Sequence, residues 1–184
     1  MRPLPYRASP NRDARPAGCP VDLLVVHAIS LPPGEYGGPW IDALFRNRLP
    51  AGHHPYFAEI HTLRVSAHLL VDRAGRATQY VPLHERAWHA GVSRFGDRER
   101  CNDFSIGIEL EGLPGRSFTS AQYATLAALV AAVRGAFPGI TPERIVGHSD
   151  IAPGRKEDPG PRFDWARLRR LAGLDRGTPP HTPG

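Results

Sequence analysis

Residues 21–29 read VDLLVVHAI, and this stretch decides the architecture. Leu23, Leu24, Val25 and Val26 follow one another without a polar interruption. A strand with one wet face alternates polar and apolar residues. A short continuous run rich in branched side chains instead marks a strand covered on both faces, as in the middle of a parallel sheet under helices. His27 closes the run just before turn residues, where a buried strand brings a side chain to the rim of the sheet, the usual place for a pocket.

The rest of the chain supplies partners for that strand. GGPWIDALFRNRL (37–49) reads as a short helix, and SAHLLVD (66–72) and ATQYVP (77–82) flank RAGR as a hairpin or meander pair. FSIGIEL (104–110) alternates strictly, which puts Phe104, Ile106, Ile108 and Leu110 on one face and Ser105, Gly107 and Glu109 on the other. TSAQYATLAALVAAVRGAF (119–137) opens with a capping-box pair, Thr119 and Gln122, and repeats Leu126, Leu129, Val130 and Val133 at helical spacing. ERIV (143–146) is a short strand, and GHSDIAPGRKEDPGPRF (147–163) is too rich in Gly and Pro for regular structure. DWARLRRLAG (164–173) is a helix with Asp164 at its start and Gly173 at its end. The order β, α, β, β, β, α, β, α predicts an α/β fold, a mixed central β-sheet covered by helices.

At 184 residues the chain fits one domain spanning 1–184, with an irregular lead-in over 1–20 and a flexible, Pro- and Thr-rich tail over 176–184. The first residues lack the apolar core of a secretory signal, and no apolar run approaches the ~20 residues that span a bilayer. Cys19 and Cys101 do not form a disulfide framework, so a reducing, cytoplasmic setting is expected. The formal charge of +5 raises the question of nucleic acid. The arginines are scattered among acids, as in RFGDRER (94–100), where a nucleic-acid footprint would cluster them with aromatics. An anionic small substrate, or simply a solvated basic surface, accounts for the excess.

Of the nine histidines, His53, His54, His61, His84 and His181 lie in polar, loop or tail contexts and read as ordinary. His148 follows a strand and opens the stiff loop that carries Asp158. With His27 these residues make two imidazoles and a carboxylate, a three-ligand zinc set whose fourth position stays open for chemistry. On spacing alone, buried structural histidines remain the alternative. All but one of the 23 basic residues are arginine, and the single lysine, Lys156, stands two residues before Asp158. An ammonium kept where a planar guanidinium would not substitute suggests a role, with chance placement as the alternative.

The motifs VVHAISLPPGEYGGPWIDALF, HPYFAEIHTLRVSAHLLV, QYVP, RAWHAGVS, RERCNDFSIGIELEG, GHSDIAPGRKEDPGP and FDWARLR cover roughly residues 21 to 172. In this order they resemble the type-2 N-acetylmuramoyl-L-alanine amidases, and within them the cytoplasmic AmpD-type 1,6-anhydro-N-acetylmuramoyl-L-alanine amidases. The resemblance implies a peptidoglycan-recognition-type α/β fold and zinc-dependent cleavage between anhydromuramic acid and L-alanine in peptidoglycan recycling. It implies zinc ligands at His27, His148 and Asp158, a catalytic acid at Glu109 and a catalytic lysine at Lys156. Arg64 and Arg100 match binders of peptide carboxylates, and Trp88 and His89 fall near the substrate groove. His68 is read as structural. Where the family commonly carries Asn after its first ligand, this chain has Ala28, which removes one hydrogen-bonding group. The implied partner is an anionic muropeptide, with neither nucleic acid nor membrane involved. Rival readings are a broader murein amidase (an autolysin or lysin) and a non-catalytic peptidoglycan sensor on the same fold.

Overall fold

The computed structural model describes residues 3–175, so the 176–184 tail and His181 lie outside the described residues. The strands are β1 (Arg12–Asp13), β2 (Leu23–Ile29), β3 (Leu69–Val71), β4 (Ala77–Gln79), β5 (Arg86–Ala87), β6 (Arg94–Phe95), β7 (Arg98–Glu99), β8 (Ser105–Glu111) and β9 (Ile145–Gly147). The helices are α1 (Trp40–Phe45), α2 (Pro55–Ile60), α3 (Ser120–Ala136), α4 (His148–Ile151) and α5 (Trp165–Ala172).

The central sheet runs β4-β3-β8-β2-β9, with β2 between two parallel neighbours and the antiparallel β4 at one edge. The apolar run of β2 is buried from Leu23 to Val26, as an interior strand requires. Leu24 and Val26 join Ile106, Ile108 and Leu110 of β8 under α3 and α5, where Tyr123, Leu126, Val130 and Leu168 close the larger core. On the opposite face Leu23 and Val25 pack with Ala90, Cys101, Phe104 and Ile151. Thr119 caps α3 by accepting from the Gln122 amide while Gln122 reaches back to the Thr119 amide, and Asp164 caps α5 by accepting from Arg167.

The structure departs from the sequence reading at two places in this frame. Phe104 does not share the face of Ile106: it precedes β8 in a turn (φ −129°, ψ 9°) and packs on the opposite side. The loop after β9 begins with one helical turn, α4, because Asp150 accepts the Gly147 amide at 2.7 Å and stabilises a helical start that the following Pro153-Gly154 stops.

The lead-in is irregular but closely packed. Ser9 and Asn11 are buried, β1 pairs with β5, and the Arg15 guanidinium donates to the carbonyls of Leu83, Asn102, Asp103 and Ser105 at 3.0–3.1 Å. Burial pulls the Arg15 pKa down to about 10. Cys19 and Cys101 are both free, and among the described residues no helix is long and apolar enough to cross a membrane.

Candidate active site

Parallel strands bring their C-terminal ends to one edge of the sheet, and ligands of open α/β sheets bind outside that edge. His27 and Glu109 are register partners on β2 and β8, so their side chains leave the sheet on the same face. His148 follows β9 directly and starts α4. Asp158 returns to the same point from the Pro/Gly loop, its backbone carbonyl accepting the Ser149 amide at 2.9 Å.

His27 Nδ1, His148 Nδ1 and Asp158 Oδ2 form a nearly equilateral triangle with sides of 3.0, 3.1 and 3.1 Å. All three residues are buried. Burial pushes the His27 imidazole down to about 4, only partly offset by Asp158, so the ring is neutral. Burial also pushes the Asp158 carboxyl upward, but the adjoining His148 and His27 rings outweigh it and keep the group ionised. His148 Nε2 faces the Ala90 carbonyl at 3.1 Å, which can only accept, so a neutral His148 carries its proton there and turns the Nδ1 lone pair inward.

The chemistry of this donor set fits a metal. Tetrahedral zinc with bonds of about 2.0–2.1 Å to nitrogen and oxygen holds its ligand atoms roughly 3.3 Å apart, close to the triangle found here. Three donor atoms converging this closely could hold one cation between them. Among the described residues this is the one group of His, Cys, Asp and Glu side chains so arranged.

Glu109 lies beside the triangle, and its Oε2 is covered and has no hydrogen-bond partner. Burial, reinforced by the Asp158 charge and opposed by Lys156, raises its carboxyl well above the ordinary range. Such a carboxyl at a pocket edge suits proton transfer. Glu109, Lys156, His89, His148 and Asp158 line a cavity of about 270 Å³ whose other walls include Leu31, Tyr56, Ile60, Leu63 and Val65.

The N-acetylmuramoyl-L-alanine amidase family model (Amidase_2) matches residues 17–161. The chain belongs to this family. The amidase is 60% identical over 163 residues to the 1,6-anhydro-N-acetylmuramyl-L-alanine amidase AmpD of Escherichia coli (strain K12), spanning 89% of this chain and 88% of that protein. A crystal structure of a selenomethionine derivative of AmpD superposes with a TM-score of 0.90 at 56% identity, covering 93% of this chain and 95% of that one. The E. coli amidase AmiD, in complex with the substrate anhydro-N-acetylmuramic acid-L-Ala-D-gamma-Glu-L-Lys, superposes with a TM-score of 0.62 at 34% identity, covering 84% of this chain and 59% of that one.

Within the amidase, His27, His148, Asp158, Glu109, Lys156 and His89 come together, while the other candidates from the sequence stand apart. Arg64 is exposed, its guanidinium turned to the Thr62 carbonyl, although its neighbours Leu63 and Val65 wall the cavity. Arg100 pairs with Asp103 at 3.3 Å and lines a neighbouring groove with Arg94 and Arg155. The Trp88 indole donates to Asp13 at 3.1 Å and is not part of the cavity wall. His68 is occupied by backbone: Nδ1 accepts the Gly107 amide and Nε2 faces the Glu85 carbonyl, both at 3.0 Å, which is the structural use expected of it. Among the ordinary histidines, His54 caps α2 by accepting the Tyr56 amide. Ser105 and Gly107 lie against His89, and the Ala90 carbonyl against His148; none of the three stands out in the sequence. The alternation of FSIGIEL places Ser105 and Gly107 on the face of Glu109, but nothing local in the sequence shows what they meet there.

Proposed function

We propose that this amidase hydrolyses the amide bond between 1,6-anhydro-N-acetylmuramic acid and L-alanine in soluble muropeptides, as a step of peptidoglycan recycling, with one zinc ion on His27, His148 and Asp158. The observation that carries the reading is the closed triangle of donor atoms at 3.0–3.1 Å beside a buried, unpartnered carboxylate oxygen. Identity near 60% to AmpD enzymes supports the anhydro substrate. The apolar walls suit a bicyclic sugar that has no free hydroxyl at positions 1 and 6. Two free cysteines accord with a reducing cytoplasm.

Amide hydrolysis needs an activated water, a polarised carbonyl and a proton for the leaving amine. Bound at the triangle, zinc would supply Lewis acidity toward the carbonyl and lower the pKa of water. Glu109 takes the proton of the attacking water and hands it to the alanine nitrogen as the C–N bond breaks. The Lys156 ammonium, at the cavity wall, faces the charge that develops on the lactyl carbonyl oxygen. Arg64, between the cavity-lining Leu63 and Val65, and Arg100, in the groove with Arg94 and Arg155, are assigned to the carboxylates of the stem peptide, and Trp88 to substrate binding outside the cavity. The test is mass spectrometry of an anhydromuropeptide and of intact sacculi after incubation with enzyme, with and without chelator. Release of free anhydromuramyl sugar and an L-Ala-terminated peptide, abolished by chelator and much slower on sacculi, is expected. Comparable rates on both substrates would favour an autolysin-like enzyme, and binding without cleavage a sensor.

A further inference from the structure

A histidine offers Nδ1 to a metal only when its proton sits on Nε2, and the partner of Nε2 decides whether it stays there. The Ala90 carbonyl does this for His148. His27 is less simple, because its Nε2 lies 2.9 Å from another imidazole nitrogen, His89 Nδ1, which can either donate or accept. The ambiguity is settled two groups further on. Ser105 donates its only hydrogen to the Cys101 carbonyl at 2.5 Å, so its oxygen can only accept from His89 Nε2 at 3.1 Å. The neutral form of His89 then carries its proton on Nε2 and accepts at Nδ1. His27 must therefore donate from Nε2, and its Nδ1 lone pair is left facing His148 and Asp158.

We propose that His89 is a positioning residue: with Ser105 and the Cys101 carbonyl it forms a relay that fixes the tautomer and ring orientation of His27 for metal binding. The proposal rests on reading His27, His148 and Asp158 as the metal ligands. Two further observations support it. The first is steric: the His89 ring lies over β8 at Gly107, where a β-carbon would come within 2.4 Å of His89 Cγ. The second is the backbone: Asn102 Oδ1 accepts both the His89 and the Ala90 amides, at 3.1 and 2.8 Å. One side chain thus holds the dipeptide whose imidazole orients His27 and whose carbonyl orients His148.

The direct test uses the metal-free wild-type protein labelled with ¹⁵N-histidine. Long-range ¹H–¹⁵N correlation should show His27 and His89 both protonated on Nε2, and finding either ring in the Nδ1–H form overturns the relay. Ser105→Ala, which removes the obligatory acceptor, should mix the tautomers of His89. Zn²⁺ affinity is then measured by competition with a chromophoric chelator. His89→Phe, which fills the same space without an acceptor, should bind Zn²⁺ about 10- to 100-fold more weakly than wild type. Gly107→Ala, which displaces the ring without touching a polar group, should weaken it in the same direction. If wild type binds Zn²⁺ and His89→Phe matches it, His89 only fills space and the proposal falls. If wild type binds no Zn²⁺, the metal reading itself fails, while the tautomer experiment still reports on the relay.

Discussion

Replacing Glu109 by glutamine separates what this carboxyl does for the reaction from what it costs the fold. A positioned general base or acid contributes about 10²- to 10⁴-fold, so kcat on an anhydromuropeptide should fall by that factor with Zn²⁺ retained. Stability should move the other way. In the metal-free protein, burial and the Asp158 charge raise the Glu109 carboxyl above its ordinary value near 4.5. The folded state therefore binds more protons than the unfolded state above that pH, and stability is lost as pH rises, by up to about 1.4 kcal/mol per unit, until the folded pKa is passed. Glutamine carries no such dependence. For a domain of this size 1 kcal/mol corresponds to about 2–4 °C in Tm, and an unpartnered buried charge costs at least about 1–3 kcal/mol. Metal-free Glu109→Gln should thus melt several degrees above metal-free wild type at pH 8, with the gap closing toward pH 4.5. Thermal melts across pH, paired with steady-state kinetics, measure both effects. A variant within a few-fold of wild-type kcat, or one that melts lower at pH 8, would refute the assignment.

Lys156→Arg should keep Zn²⁺ and fold normally but lose about 10²- to 10³-fold in kcat, because a planar guanidinium misplaces its donors against the oxyanion; an Arg variant within a few-fold of wild type would leave Lys156 as a general electrostatic contributor. The metal-free chain should be acid-labile: burial lowers His27 to about 4, His68 to about 3 and His89 well below its ordinary value. Between pH 6.5 and 4 the unfolded chain takes up protons that these rings refuse, so stability should fall as pH falls, by up to about 1.4 kcal/mol per unit for each histidine; equilibrium urea unfolding reads this, and a flat profile contradicts it. Ala28 lines the cavity, and Ala28→Asn should restore a hydrogen-bonding group, lowering KM by about 2- to 10-fold if that amide reaches substrate; an unchanged KM would show that other donors have replaced it.

The legible parts of the sequence were those in which a local pattern has one physical solution. An unbroken apolar run needs cover on both faces, so VDLLVVHAI had to be an interior strand. Strict alternation sent Glu109 to the face that His27 also uses. The long amphipathic helix announced its start at Thr119 and its end at Pro138. Phe104 broke the alternation because the backbone turns before the strand begins, and a pattern of residue types carries no φ or ψ. The one-turn helix at His148 was masked by the Pro and Gly that follow it. The resemblance puts His89 near the substrate groove, and it does line the cavity, but its contacts with His27 and Ser105, separated from it by 62 and 16 positions in sequence, are invisible in the sequence. Such long-range pairings leave no periodicity to read.

The Arg15 guanidinium, tied to four carbonyls, also bears on where this protein can be cut. The family match begins at residue 17 and ends at 161, so a version trimmed to those limits would discard Arg15 together with all of α5. It would leave the carbonyls of Asn102, Asp103 and Ser105 short of a donor beneath the segment that seats His89, and would bare the apolar side of α3 where Leu168 lay. A product cut at those limits is expected to be prone to aggregate, whereas one that keeps Arg15 and the buried Ser9, Leu168 and Leu174 retains both sets of contacts.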